Sequence, residues 1–63
     1  MNIGDIVEVI STESLPVSYL GMKGKIIDMF MCKYVVEFDP RYGSEGSYRL
    51  AHTAILSDLR KVE

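Results

Sequence analysis

The chain has one cysteine, Cys32, one histidine, His52, two prolines and no tryptophan. A single cysteine excludes an internal disulfide. A closed structural zinc site takes about four ligands, usually Cys or His. These two residues cannot supply them, so no metal and no cofactor is expected. No apolar run approaches the ~20 residues needed to span a bilayer. Met1 to Asp5 has no basic segment leading into an apolar one, so no secretory signal is expected. A lone thiol without such a signal fits a reducing cytoplasm. Catalytic sets are missing too. A nucleophile needs a base, and the base an orienting partner. His52 is the only imidazole, and no serine sits in a nucleophile motif. Asp5, Glu8, Asp28, Glu37 and Asp39 fall on separate predicted strands and turns, where they read as solvated side chains. The expectation is a protein that is not an enzyme.

Sixty-three residues make one domain, residues 1–63, with a thin stability margin. Apolar residues make up 48% of the chain, at the upper end for a globular domain. A chain this short has difficulty hiding that much, so part of it is expected on the surface as a docking face. The formal net charge is -2. Nucleic-acid affinity draws heavily on phosphate neutralisation, and an acidic balance argues against that role.

Along the chain, the periodicity is that of strands. Ile3 to Ser11 alternates, with Val7 and Val9 on one face and Ile6, Glu8 and Ile10 on the other. Thr12 to Gly21 reads as a loop, because Pro16 lacks a backbone donor and the serines compete for local bonds. Gly21 and Gly24 bracket Met22-Lys23, which suits a tight turn and a close backbone approach. A second strand is predicted from Lys23 to Met31. Its apolar residues Ile26 and Met29 are three apart, which predicts a bulge near Ile27-Asp28. After a short connection at Cys32-Lys33, Tyr34, Val36 and Phe38 share one face of a third strand. Asp39-Pro40 stops it. Residues 39 to 47 form the most flexible segment by composition. A fourth strand is predicted from about Tyr48 to Thr53, a helical turn over Ala54 to Ser57, and a last strand from Leu59 to Val62. The expected core is Val7, Val9, Ile26, Met29, Val36, Phe38, Leu59 and Val62, with Phe30 and Tyr48 as further candidates. Short strands with glycine-rich turns give an all-β sandwich or barrel. At this length a barrel is the more economical form, because closure removes exposed edges.

Four groups of residues carry a resemblance: Gly4-Asp5-x-Val7-x-Val9, Gly21-x-x-Gly24-x-Ile26, Val35-Val36-x-Phe38 and Asp58-Leu59-x-x-Val62. Together they resemble the five-stranded SH3-like barrels of the KOW and translation-protein type. The opening Met1-Asn2-Ile3-Gly4-Asp5 and the run Leu20-Gly21-Met22-Lys23-Gly24 are similar to the variable chain of ferredoxin–thioredoxin reductase. The length, and a loop at Arg41-Tyr42-Gly43-Ser44, are similar to photosystem I reaction-centre subunit IV. The acidic balance, and a Cys32-Lys33 connection shorter than in the reductase chain, depart from these. The resemblance spans nearly the whole chain, but it rests on glycines and core valines. It therefore implies a barrel, with one helical turn before the last strand, and no particular activity.

For function, aromatic and methionine side chains are the material of protein contacts. Tyr19 and Tyr42 lie in the two long loops, and in SH3-like barrels such loops border a binding groove. Tyr19, Arg41 and Tyr42 are the expected partner-binding residues. The expected role is a small adaptor or accessory subunit that docks on a larger protein through barrel loops or an exposed apolar strand face, or that self-associates. The alternative is a KOW-type RNA- or DNA-binding barrel. In that case Lys23, Lys25, Lys33 and Arg41 would supply cations beside Tyr42, diluted by Asp28, Glu37 and Asp39. Cys32 beside Lys33 fits a small side chain at a hairpin end, or a thiol paired with a partner's. His52 fits a structural imidazole bonded to backbone, or a contact that senses pH near neutrality.

Overall fold

The computed structural model describes residues 1–42 and 50–62. Five antiparallel strands form one sheet: β1 (Ile6–Val9), β2 (Lys23–Phe30), β3 (Lys33–Phe38), β4 (Leu50–Ile55) and β5 (Leu59–Lys61), in the order β4-β3-β2-β1-β5. Single 3-10 turns occupy Val17–Tyr19, Pro40–Tyr42 and Leu56–Asp58. There is no α-helix among the described residues, and no helix long and apolar enough to cross a membrane. The fold is all-β, as expected. Hydrogen bonds do not close the sheet, so β4 and β5 remain its two edges.

A lone sheet with one apolar face has to bury that face against itself, which it does by curling. The buried residues are Val7, Val9, Ile26, Val36, Phe38 and Leu59, joined by Leu15 and Ala54. The first six were legible from alternation. Leu15 comes from the loop after β1. With half-buried Tyr19 and Met22 it packs on the core, so this loop covers part of the sheet's concave side.

Both glycine expectations hold. Gly21 has φ +87° and turns the chain into β2. At Gly24, a Cβ would lie 2.6 Å from Val36 Cγ1 and 2.7 Å from the Glu37 carbonyl oxygen. No side chain fits there. The predicted bulge is also present, because Ile26 pairs with Val36 while Asp28 pairs with Val35, leaving Ile27 as the extra residue.

Other expectations are corrected. Met29 is 40% exposed. Past the bulge it pairs with Tyr34 near the hairpin end, beyond the core. Phe30 is also exposed, because it pairs with Lys33 on the convex side. Val62 is half-buried just past β5, where its amide bonds to the Ile6 carbonyl at 2.8 Å. Strand β1 is shorter than Ile3 to Ser11. Gly4, at φ +98°, turns the chain before it; past Val9 the Ile10 amide still donates in register to the Asp58 carbonyl at 2.8 Å, but Asp58 belongs to the 3-10 turn, so the strand pairing ends there. Strand β2 stops at Phe30 because Met31 and Cys32 form the turn. The turn before β5 falls at Leu56–Asp58, since Ala54 is a buried strand residue paired with Tyr34. Of the segment 39–47, the described start is a 3-10 turn with Asp39 buried. The rest of it, and the predicted strand start and core candidate Tyr48, lie outside the described residues.

Asp58 is fully buried. A buried carboxylate is costly unless donors surround it. Here Oδ1 accepts from the Glu13 amide at 3.2 Å, and Oδ2 accepts from the Ser14 amide at 2.7 Å and from the Ser14 hydroxyl. The Ser14 oxygen in turn accepts from the Ile55 amide at 3.1 Å. Burial pushes the Asp58 carboxyl up. The Ser14 hydroxyl, the Ser14 and Glu13 amides and the Ser11 side chain outweigh that and hold it below the usual range. One side chain thereby ties the long loop to the end of β4 and the start of β5.

Candidate functional site

Two of the three expected anchors meet at the turn after β3. Asp39 Oδ1 accepts from the Arg41 amide at 2.9 Å, an Asx turn that starts the 3-10 segment. The Arg41 guanidinium reaches back to Asp39 Oδ2 at 3.1 Å and to Glu37 Oε1 at 3.8 Å. Its Cζ lies 5.3 Å from the centre of the Tyr42 ring, and the Tyr42 hydroxyl donates to Glu37 Oε1 at 3.4 Å. The hydrogen bond to Asp39, then its charge, holds the guanidinium more firmly protonated than usual. Arg41 is thus drawn onto its own carboxylates, although much of its side chain remains exposed.

Tyr19 makes its ring contacts elsewhere. It packs edge-on against Phe38, 5.1 Å between centroids, and against His52 at 5.5 Å. It is half-buried and covers the core. His52 Nδ1 lies 3.3 Å from the Thr53 carbonyl oxygen, a contact to backbone.

Alternation did not single out an exposed apolar cluster at the β2–β3 hairpin tip. Met29 is 40%, Phe30 49% and Met31 87% exposed. Met31 and Cys32 both have positive φ, +48° and +65°. These are the conformations of a tight two-residue hairpin turn, normally taken by Asn-Gly or similar pairs. With Lys33 and Tyr34, the four residues from Met29 to Cys32 line a shallow cavity of about 200 Å³. The signal was present in the sequence as the run Met29-Phe30-Met31-Cys32. A strand turns alternate residues to opposite faces, so such a run cannot all be buried.

Charges on the convex side are interleaved. Glu8 pairs across the sheet with Lys23 and with Arg60, whose guanidinium bonds to it. Lys25 pairs with Glu37 on that side; on the opposite face, at the rim of the core, Lys61, the partner of Val7, has its Nζ 4.0 Å from Asp5 Oδ2. Among the described residues, no three of His, Cys, Asp and Glu gather as metal ligands. Cys32 is exposed at the tip, while His52 sits against Tyr19, about four residues or ~13 Å farther along the ladder. Comparison with protein-family models, curated proteins and solved structures finds no match to this chain.

Proposed function

We propose that this chain is a non-enzymatic protein-binding module, an adaptor or accessory subunit of the cytoplasm, that docks on a larger protein through its β2–β3 hairpin tip. The observation that carries this reading is the exposure of Met29, Phe30 and Met31 together at the end of the β2–β3 hairpin. A few large apolar side chains entering a pocket dominate binding energy, whereas total contact area does not. Methionine adapts its shape to such pockets at little cost. Tyr19, Arg41 and Tyr42 rank second as anchors. Tyr19 is committed to Phe38 and His52, and Arg41 to Asp39 and Glu37. The strand order and the 3-10 turn ahead of β5 support reading the fold as SH3-like. The interleaved carboxylates speak against the nucleic-acid alternative, whose affinity would fall steeply with salt.

The test compares three immobilised chains in native extract: the parent, Phe30→Ser with Met31→Ser, and Arg41→Ala with Tyr42→Ala. The expected result is one stoichiometric protein held by the parent and by the Arg41/Tyr42 variant and lost from the tip variant, then reproduced with the purified partner. Equal retention by a folded tip variant refutes the assignment.

A further inference from the structure

A sheet that is not closed exposes two edges, and these two differ. Strand β5 is three residues long and carries Arg60 and Lys61. Short length and charge are the usual protections of an edge. Strand β4 is six residues long and reads Leu-Ala-His-Thr-Ala-Ile, without lysine, arginine, acid or proline. The direction of its backbone groups follows from one bond. The Ile55 amide donates to Ser14 Oγ at 3.1 Å, so it points away from β3. Backbone groups alternate sides along a strand, so the amides and carbonyls of Ala51 and Thr53 point off the sheet as well. Among the described residues, none accepts from the Ala51 or Thr53 amide on that side.

We infer that β4 pairs antiparallel with the β4 of a second copy of this chain, about a twofold axis at His52. Ala51 of each copy then faces Thr53 of the other, and four main-chain hydrogen bonds form. Within Leu50–Ile55 this is the register that engages both open residues, since Ser14 already holds Ile55. Three features select a second copy as the occupant. The edge carries no lysine, arginine or acid to repel its own image, whereas β5 would set Arg60 and Lys61 against themselves. The edge residues Ala51, Thr53 and Ala54 are small enough for backbones to approach. An antiparallel pairing is also isologous and closes at two chains. Strand addition of this kind supplies main-chain bonds over a small area, which gives a weak, concentration-dependent dimer. This surface is separate from the hairpin tip, so either proposal can fail while the other stands.

The test is sedimentation of the full chain from about 10 µM to about 1 mM, the range in which a weak dimer forms, together with amide exchange. The weight-average mass is expected to rise from one chain toward two. Exchange at Ala51 and Thr53 is expected to slow by about threefold or more as dimer forms, since the open amides become paired. Thr53→Pro removes the outward amide at an edge position that tolerates proline. Ala51→Lys with Thr53→Lys sets four ammonium groups on one face of the pair, and keeps the test open should the proline variant unfold. Both variants are expected to stay monomeric with the parent's circular dichroism. A parent that remains one chain throughout overturns the inference. So does a dimer that survives in folded edge variants, or one lost only in the Phe30→Ser, Met31→Ser variant, which would move self-association to the tip.

Discussion

Asp58→Asn keeps the shape of the side chain and removes one acceptor from a site built for a carboxylate. If the amide nitrogen replaces Oδ1, the Glu13 amide loses its partner; if it replaces Oδ2, the Ser14 amide and hydroxyl lose theirs. Bonds to a charged group contribute about 1.5–3 kcal/mol each. Losing at least one of them, with weakening of the rest, costs about 2–4 kcal/mol. At about 0.05–0.15 kcal/mol per residue, a domain of this length has about 3–9 kcal/mol in total. Each kcal/mol moves Tm by about 4–8 °C, with short chains at the upper end, so a fall of about 15–30 °C is expected. The assay is thermal and urea unfolding followed by circular dichroism. The same reasoning fixes the pH dependence. The folded Asp58 carboxyl titrates below its unfolded value, near 3.9. Its contribution is therefore full above that pH and is lost as pH falls through the folded value. Parent and Asn variant should differ most near neutrality and converge in acid. A shift under about 5 °C, or an equal gap at pH 7 and at pH 3, would refute the lock.

Phe38→Ala removes the largest fully buried side chain and the ring against which Tyr19 packs. A loss of about 3–5 kcal/mol is expected in urea melts, and a near-unchanged midpoint would put the core elsewhere. Gly24→Ala drives a methyl into the Glu37 carbonyl and Val36. It should cost about 1–3 kcal/mol by overpacking, again read from the unfolding midpoint. Replacing Met31-Cys32 by Asn-Gly puts residues that favour positive φ at two such positions. It should raise stability by about 1–2 kcal/mol while weakening partner binding, because Met31 is lost.

The strands were legible because Val7/Val9 and Val36/Phe38 keep strict period two on one face. The bulge was legible because Ile26 and Met29 break that period. What period cannot report is where along a strand the core ends. Met29 lies on the concave side, yet the hairpin outruns the buried core there. Leu15 and Asp58 were missed for another reason: their burial depends on a contact across more than forty positions, Ser14 to Asp58, which leaves no local pattern. Arg41 and Tyr42 are neighbours in sequence, and their side chains do meet. Their capture by Glu37 and Asp39 was hidden, since it depends on the 3-10 turn that folds the guanidinium back. The hairpin tip was readable as an unbroken apolar run, but which of its side chains meet solvent depends on the turn at Met31-Cys32, which the run itself does not mark.

The most direct test of docking through the tip is amide chemical-shift mapping of the labelled chain during titration with its purified partner. The expected result is that shifts concentrate on residues 28–34, with Tyr19, Arg41 and Tyr42 changed little. Shifts centred on residues 39–42 or on Tyr19, with the hairpin tip unmoved, would contradict it.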